Sequence, residues 1–283
     1  MKDVRLSDGS LLALSQRVHV MGIVNVTPDS FSDGGRFLDA SSAIDHGLEM
    51  VEEGADILDV GAESTRPGAS PVQADEEERR LLPVVSVLAE KARVPVSVDT
   101  TKASVARAAL DAGATIVNDI TAGADPQMFG LIAERRVPVV LMHMRGEPRT
   151  MQTSVVYSDV VAEVRSFLEQ RAAAARAAGI EEILIDPGFG FGKLREHNLV
   201  LLGRLREFTT LGYPVVAGTS RKTFIGATLG DLPVDERLEG TAATVSLAVA
   251  NGAAVVRVHD VRAMRRVVDM VSAVMEAKEP GAQ

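Results

Sequence analysis

A repeated alternation of short apolar runs with longer amphipathic segments is the feature that most restricts how this chain can fold. Each run is rich in Val, Ile and Leu, and each is followed by a segment with helical spacing of apolar residues. Continuous short runs of this kind are typical of parallel strands buried on both faces. The eight predicted strands are Val18–Val24, Ile57–Val60, Val94–Val98, Thr115–Val117, Val137–Met142, Glu182–Ile185, Pro214–Ala217 and Ala254–Val258.

Eight strand–helix units in one chain favour an α/β fold of the (β/α)8 TIM-barrel type. A doubly wound open sheet is the alternative, because counting strands does not show that the sheet closes. Amphipathic spacing predicts helices at Ser41–Glu53, Tyr157–Ala178 and Val261–Met275. The turn sequence within Val4–Leu14 predicts a short hairpin at the bottom of the barrel. Length alone suggests two domains, but no linker divides the chain, so we expect residues 1–283 to form one domain.

Composition excludes several kinds of site and partner. The chain has no cysteine, so disulfides, iron–sulfur clusters, thiolate zinc sites and thiol nucleophiles are excluded. Its formal net charge of −9 argues against a nucleic-acid partner. No apolar run reaches the roughly 18 residues of a membrane span, and the N-terminus lacks the apolar core of a signal peptide. We therefore expect a cytoplasmic protein with no membrane partner.

Polar residues follow nearly every predicted strand. In a barrel of this kind the functional side chains lie at the carboxyl ends of the strands. One such Asp or Asn is more often a helix cap or a turn residue, whereas a ring of them on one face indicates a site. The strand ends read Asn25-Val26-Thr27-Pro28, Asp59-Val60-Gly61, Asp99-Thr100, Asn118-Asp119, Met142-His143-Met144, Asp186-Pro187-Gly188, Gly218-Thr219-Ser220 and Arg257-Val258-His259-Asp260.

Two clusters within this ring indicate different ligands. Asp99, Asn118 and Asp186 supply carboxylates and an amide, which suit the paired N–H groups of a flat heterocycle such as a pterin. A metal-binding carboxylate pair is the alternative. The second cluster joins the basic segment Ser220-Arg221-Lys222 to Arg257 and His259 and predicts an anion site, because barrels often bind phosphate after their last two strands.

Three further features surround these clusters. Two long loops, Asn25–Phe37 and Ser64–Gly68, are predicted to cover the barrel mouth as lids. The glycine-rich segment Asp186–Lys193 allows close backbone approach to a ligand, but it matches neither a P-loop nor a dinucleotide-binding fingerprint. We expect the basic residues of this end to offset the net negative charge locally; they are Arg66, Lys193, Arg221, Lys222 and Arg257.

Seven motifs, taken in order along nearly the whole chain, resemble those of the dihydropteroate synthase family, the pterin-binding folate enzymes that sulfonamides inhibit. The motifs are Met21–Gly35, Gly61–Gly68, Val98–Thr100, Asn118–Ile120, Asp186–Lys193, Thr219–Lys222 and Arg257–Asp260. The resemblance implies a TIM barrel that condenses a pterin pyrophosphate with 4-aminobenzoate. It also implies a Mg²⁺ cofactor and a homodimer.

The resemblance implies a role for each matching residue. The pterin-binding positions are Asp99, Asn118, Met142, Asp186 and Lys222. The pyrophosphate-binding positions are Asn25, Arg257 and His259, with Asn25 also matching a metal ligand. The aminobenzoate-binding positions are Phe31, Thr65, Pro67, Phe191, Ser220 and Lys222. The catalytic positions are Asp99, Lys222, Asp33 and Arg66, of which Asp33 and Arg66 match ordering loops.

Two alternatives to this activity remain. A pterin-binding methyltransferase of the corrinoid type would share the pterin pocket but should lack the Ser220-Arg221-Lys222 and Thr65-Arg66-Pro67 features, and this chain has both. A non-catalytic paralogue would bind pterins without turnover, although such chains usually lose loop motifs that are retained here.

Overall fold

The sheet closes into a barrel of eight parallel strands in the computed structural model, which describes residues 2–26, 36–64, 71–146, 151 and 155–277. The strands are β3 His19–Asn25, β4 Ile57–Gly61, β5 Val96–Asp99, β6 Ile116–Asp119, β7 Val139–Met142, β8 Ile183–Asp186, β9 Val216–Ala217 and β10 Val255–Val258. Their order is β8-β7-β6-β5-β4-β3-β10-β9. A parallel bridge between Ile185 and Val215 joins the two ends, so the barrel prediction is confirmed and the open sheet is excluded.

Helices follow the strands of the barrel, as predicted. They are α1 Arg36–Glu52, α2 Ala74–Lys91, α3 Ala103–Asp111, α4 Met128–Arg135, α5 Val160–Ala177, α6 Arg195–Gly203, α7 Arg206–Thr209, α8 Thr223–Thr228, α9 Leu238–Ala250 and α10 Val261–Glu276. The start of α5 is capped by the Asp159 carboxylate, which accepts the N–H groups of Val161 and Ala162 at 2.9 and 3.0 Å. A short antiparallel hairpin of β1 (Val4–Arg5) and β2 (Leu11–Leu12) precedes the barrel.

Alternate residues of the strands form two layers inside the barrel. One residue of most strands packs with the hairpin side chains Val4, Leu6, Leu12 and Leu14 to make an apolar floor. The floor residues of the strands are Met21, Ile57, Ile116, Val140, Leu184, Val216 and Val255. Their sequence neighbours, such as Leu58 and Val117, pack instead in the cluster between the barrel and the helices. The residues two positions beyond the floor therefore point inward as well, one layer closer to the mouth.

Among the residues that the structure describes, no helix is both long and apolar enough to cross a membrane.

Candidate active site

The inner layer above the floor is polar and comes from most of the strands. Asp59, Asn118, Asp186 and Arg257 each stand two residues after a floor residue, and Asp99 stands two residues after the buried Ser97. Because the strands extend one residue beyond several of the predicted apolar runs, Asp99 and Asp186 are still part of the hydrogen-bonded ladder. The sheet therefore fixes the backbone of these side chains.

Arg257 lies between two carboxylates in this layer. Its Nε donates to Oδ2 of Asp59 at 2.6 Å, and its Nη2 donates to Oδ2 of Asp99 at 2.7 Å. The Asp59 side chain is fully buried, and that of Asp99 is only 14% exposed. The sequence left a metal-binding carboxylate pair open for this end of the barrel. Of the two carboxylates in that cluster, Asp99 and Asp186, the first binds the Arg257 guanidinium. No cluster of three His, Asp or Glu side chains in the described part of the chain is arranged to hold a metal.

Asn118 is oriented by the same buried carboxylate. Its Nδ2 donates to Oδ2 of Asp59 at 2.9 Å, and the residue is 6% exposed. Because the amide nitrogen donates to Asp59, the carbonyl oxygen is the group of this side chain that can accept from a ligand. A hydrogen-bond donor on a ligand would therefore find an acceptor at this position.

Burial governs the titration of the carboxyl groups at the mouth. It raises the pKa of Asp99 to about 7, with a further rise from the neighbouring Asp59, while Arg257 opposes the shift. Burial also raises the pKa of Asp186, whose Oδ1 accepts the Gly188 N–H at 2.7 Å. Carboxyl groups whose pKa is raised by burial in a cleft are typical of sites that bind or transform a ligand.

Lys222 and Phe191 form the side of the site. The Lys222 Nζ lies 4.2 Å from the centre of the Phe191 ring, within cation–π range. Burial lowers the pKa of Lys222 to about 8, and the charge of Arg257 lowers it further, while Asp186 and Asp99 oppose the shift. Phe191 packs with the buried Met142 in a small apolar cluster separate from the main core. The site thus combines an apolar wall with a cation whose charge is sensitive to pH near 8.

Ser220 and His259 form a pair on neighbouring strand ends. The Ser220 Oγ accepts the His259 backbone N–H at 3.2 Å and lies 3.0 Å from Nδ1 of the same residue. Since the hydroxyl already accepts the amide, its proton is available to Nδ1, which favours the tautomer with hydrogen on Nε2. Burial lowers the pKa of His259 to about 3, with Arg257 adding to the effect, so the imidazole is neutral at pH 7.

Two of the basic residues expected to attract an anion have other partners. Lys193 is 3% exposed and is surrounded by backbone carbonyl groups, so the expectation that its charge faces the mouth is wrong. Arg221 is bound by the Asp260 carboxylate, with Nε to Oδ2 at 2.9 Å and Nη2 to Oδ1 at 2.5 Å, so its charge is largely neutralised. Arg257 also binds two carboxylates, through Nε and Nη2, whereas the Lys222 Nζ contacts the Phe191 ring.

The remaining predicted site residues divide into two groups. Asn25 ends β3 as an exposed side chain, opposite Gly61 of β4, at the rim of the mouth. The other predicted positions lie outside the described residues; they are Phe31, Asp33, Thr65, Arg66 and Pro67. Their predicted roles stay predictions.

Sequence reasoning assigned no role to Asp59. It noted this residue only as part of a polar strand end, yet the carboxylate holds both Asn118 and Arg257. Its Oδ1 makes no hydrogen bond to a described residue. The signal was present in the sequence, because a charged residue inside the apolar run Ile57–Val60 must be paired when the strand is buried.

A second cluster that the sequence did not reveal lies beside Asp99. The Lys102 ammonium binds the fully buried Glu77 at 2.5 Å and also binds Glu63. The other Glu63 oxygen accepts the Val72 N–H at 3.2 Å. This cluster joins the segment after β4 to the segment after β5. The two glutamates share one ammonium, which holds both segments together.

Comparisons with known proteins agree with this geometry. A sequence model of the family described as pterin binding enzyme matches residues 21–259. The chain is 47% identical over 269 residues to the dihydropteroate synthase of Bacillus subtilis, covering 94% of this chain and 92% of that protein. The structure of Xanthomonas albilineans dihydropteroate synthase with 4-aminobenzoic acid matches with a TM-score of 0.92 at 48% identity, covering 98% of this chain and 100% of that one. A complex of the Xanthomonas albilineans enzyme with 7,8-dihydropteroate matches with a TM-score of 0.89 at 44% identity, with the same coverage of each chain.

Proposed function

The chain belongs to the dihydropteroate synthases, transferases of the pterin-binding enzyme family, and on that premise we propose how its site joins the two substrates. The reaction condenses 6-hydroxymethyl-7,8-dihydropterin pyrophosphate with 4-aminobenzoate to give 7,8-dihydropteroate and pyrophosphate. The observation that carries the assignment of residues is the polar inner layer, in which Asn118 and Asp186 stand above an apolar floor, with Lys222 at the side of this seat.

The pterin occupies this seat. Its amino-pyrimidinone edge offers neighbouring N–H groups, which match the carboxylate of Asp186 and the acceptor oxygen of Asn118. The Met142 side chain and the floor supply apolar contact to the ring. Lys222 donates to the carbonyl and ring-nitrogen side of the heterocycle while its stem lies along Gly190, whose missing side chain leaves room for it.

The pyrophosphate is bound by Arg257, His259 and Asn25 at the rim. The described carboxylates engage Nε and Nη2 of Arg257, and we assign its Nη1 group to the phosphate oxygens. The neutral His259 donates through Nε2, because Ser220 occupies Nδ1. Asn25 adds a carboxamide from the end of β3.

The bond to pyrophosphate breaks before the arylamine attacks, in an SN1-like order. The cation left on the methylene carbon is conjugated with the pterin ring, and the carboxylates of Asp99 and Asp186 stabilise its charge. The neutral arylamine then attacks this carbon, and the resulting anilinium loses its proton to water. 4-Aminobenzoate lies against Phe191 and Ser220, next to Lys222, with Phe31, Thr65 and Pro67 as further predicted contacts. Asp33 and Arg66 stay predicted catalytic positions on the loops that exclude water.

A Mg²⁺ ion fits the residues present at the rim. Magnesium favours oxygen ligands, keeps several waters, and is commonly bound through one or two protein groups together with substrate phosphates. The exposed Asn25 carboxamide is such a group, and the described residues offer no three-carboxylate cage in its place. When bound, the ion supplies positive charge that stabilises the departing pyrophosphate.

We also propose that the chain forms a homodimer through α9 and α10. The inner face of α10 is occupied by the core residues Met264 and Val268. The other face exposes Met270 at 64% and Val274 at 61%, and α9 adds Leu247 at 51%. Large exposed apolar side chains on two packed helices favour a protein partner, and a second copy of the chain is the occupant we propose.

Pyrophosphate release tests the proposed activity. The purified protein is incubated with the pterin pyrophosphate, 4-aminobenzoate and Mg²⁺, and both products are measured. We expect release that depends on all three. Absence of an arylamine-dependent product would refute the proposed activity.

Oxygen-18 in the bridging position of the pterin pyrophosphate tests the SN1-like order. We expect the label to move into non-bridging positions in the absence of 4-aminobenzoate, because the bond breaks and re-forms. Turnover without any such scrambling would instead favour direct displacement.

A further inference from the structure

The Lys193 amine is the buried centre of the turn that follows β8. Its Nζ donates to the backbone carbonyls of Gly188 at 2.8 Å, Phe191 at 3.0 Å and His143 at 3.3 Å. The Nδ1 of His143 lies 2.9 Å from the same nitrogen. Three of these four contacts are made to the backbone. The amine therefore stabilises the backbone conformation of the turn and does not face a ligand.

The turn has no regular secondary structure to hold it. Gly188, Gly190 and Gly192 adopt positive φ angles of 71°, 86° and 61°, and glycine-rich segments lose the most conformational freedom on ordering. Three other bonds hold this turn: the Gly188 N–H donates to Asp186 Oδ1 at 2.7 Å, the Gly190 N–H to Asn198 Oδ1 at 2.7 Å, and the Phe191 N–H to the Gly188 carbonyl at 3.2 Å. Among these contacts, only the Lys193 Nζ binds the carbonyls at both ends of the Gly188–Phe191 path and also reaches the end of β7.

The far end of this turn carries the apolar wall of the site. The Phe191 carbonyl bonds to Lys193, while the Phe191 ring lies 4.2 Å from the Lys222 Nζ. His143 follows β7 directly, so its carbonyl and ring connect the turn to a second strand end. Lys193 thus links the ring position of Phe191 to the rigid edge of the barrel.

We propose that Lys193 is a positioning residue for the aminobenzoate pocket, and that its Nζ holds the Phe191 ring against Lys222 by tying the Gly188–Phe191 turn to the end of β7. The proposal rests on the proposed function for the identity of the ligand. Asp186 lies on β8 itself, where the ladder to β7 holds it, so the pterin side of the site is less dependent on this amine.

Because the chain has no cysteine, the Lys193 amine can be removed by substitution and then restored by chemical modification of one thiol. Lys193→Cys introduces the only thiol, which 2-bromoethylamine converts in denaturant to an aminoethyl side chain of nearly the length of lysine. After refolding beside wild-type protein treated in the same way, the thiol form should show a KM for 4-aminobenzoate raised on the order of tenfold, because small misplacements of a contacting group are costly. The KM for the pterin pyrophosphate should change less than twofold, and aminoethylation should restore the KM for 4-aminobenzoate.

Lys193→Met, purified without denaturation, gives a second route to the same answer. Its KM for 4-aminobenzoate should rise while its KM for the pterin pyrophosphate changes less than twofold. Hydrogen exchange of the peptide covering residues 186–193 should become faster. Phe208→Leu is the matched control, because Phe208 is fully buried near the opposite end of the barrel. It should lower the melting temperature and leave both KM values unchanged.

The outcomes separate this proposal from the proposed function. Equal rises in both KM values, a fall in kcat alone, or no recovery on aminoethylation would overturn the role of Lys193. If wild-type protein fails to turn over, the proposed function fails. Calorimetry with 4-aminobenzoate and hydrogen exchange then still decide whether Lys193 orders the turn.

Discussion

Replacing Asp59 with asparagine isolates the contribution of one buried charge to the site. The Asp59 side chain is fully buried and accepts from Arg257 Nε at 2.6 Å and Asn118 Nδ2 at 2.9 Å. Asparagine has almost the same shape, but it replaces one acceptor oxygen with a donor. Both bonds end on Oδ2, and Oδ1 has no partner among the described residues, so asparagine can keep its oxygen at the Oδ2 position. What the variant loses is the negative charge that pairs with Arg257.

The cost of the change is estimated from the bond to Arg257. A hydrogen bond to a charged group contributes about 1.5–3 kcal/mol. A neutral oxygen forfeits part of that contribution, so at about 1.4 kcal/mol per factor of ten kcat/KM for the pterin pyrophosphate should fall by up to roughly 100-fold. The effect on KM for 4-aminobenzoate should be much smaller, because Asp59 contacts neither Phe191 nor Ser220.

The same variant should move the pH profile in a known direction. Burial raises the pKa of Asp99 to about 7, and the charge of Asp59 contributes to that rise. The ionised form of Asp99 is lost as the pH falls through this value, so kcat/KM for the pterin pyrophosphate should have an acidic limb near pH 7. Removing the Asp59 charge lowers the pKa of Asp99, and the limb should shift to lower pH.

Steady-state kinetics between pH 5 and pH 9, with melting curves for each protein, provide the assay. Asp56→Asn is the control, since Asp56 immediately precedes β4, is only 8% exposed and pairs with Arg265 at 3.1 Å at the other end of the barrel. We expect this control to lose stability and to keep the wild-type profile. An Asp59→Asn protein with unchanged kcat/KM and an unmoved acidic limb would refute the reasoning.

Three further predictions concern other parts of the molecule. Because burial lowers the pKa of Lys222 to about 8, activity should fall through an alkaline limb near pH 8, and Lys222→Met should abolish that limb in pH–rate profiles. Gly188→Ala should lower the free energy of unfolding by about 3 kcal/mol or more in urea titrations, because Gly188 has a φ of 71° and an added Cβ would overlap the His143 carbonyl oxygen. Met270→Glu combined with Val274→Glu should halve the mass in sedimentation, because charge would replace the exposed apolar face of α10.

Each of these three predictions has an outcome that would contradict it. If the alkaline limb survives in Lys222→Met, it arises from the titration of a group other than Lys222. A Gly188→Ala protein as stable as wild type would mean that the turn can rearrange around a side chain. A dimer that persists with both glutamates in α10 would place the contact between copies elsewhere.

The barrel was predictable because its signals are local. Each strand is an apolar run bounded by polar residues, and each amphipathic segment has its own helical period, so the order of elements follows from patterns within a few residues. The strand ends were less accurate. Asp99, Asp119 and Asp186 lie in strands even though their polarity suggests loops, because the ladder continues until the side chains reach the mouth.

The composition of the site was predictable and its internal pairing was not. Position at a strand end identified Asn118, Asp186 and Arg257, since the barrel brings those ends together. The sequence did not show that Arg257 lies between Asp59 and Asp99, nor that Lys193 is buried among carbonyls. Those contacts join residues far apart in the chain, and side-chain direction depends on packing that no local pattern records.

The apolar floor beneath the polar layer sets how deeply a heterocycle can enter the barrel. Ile57 and Ile116 stand two residues below Asp59 and Asn118, and the hairpin residues Leu6 and Leu12 close the barrel beneath them. Trimming either isoleucine would deepen the seat by one or two carbon atoms while every polar contact above stayed in place. A barrel built in this way can change the size of the ring it accepts, or exclude a compound that fills the seat, through substitutions in the apolar layer beneath every polar contact.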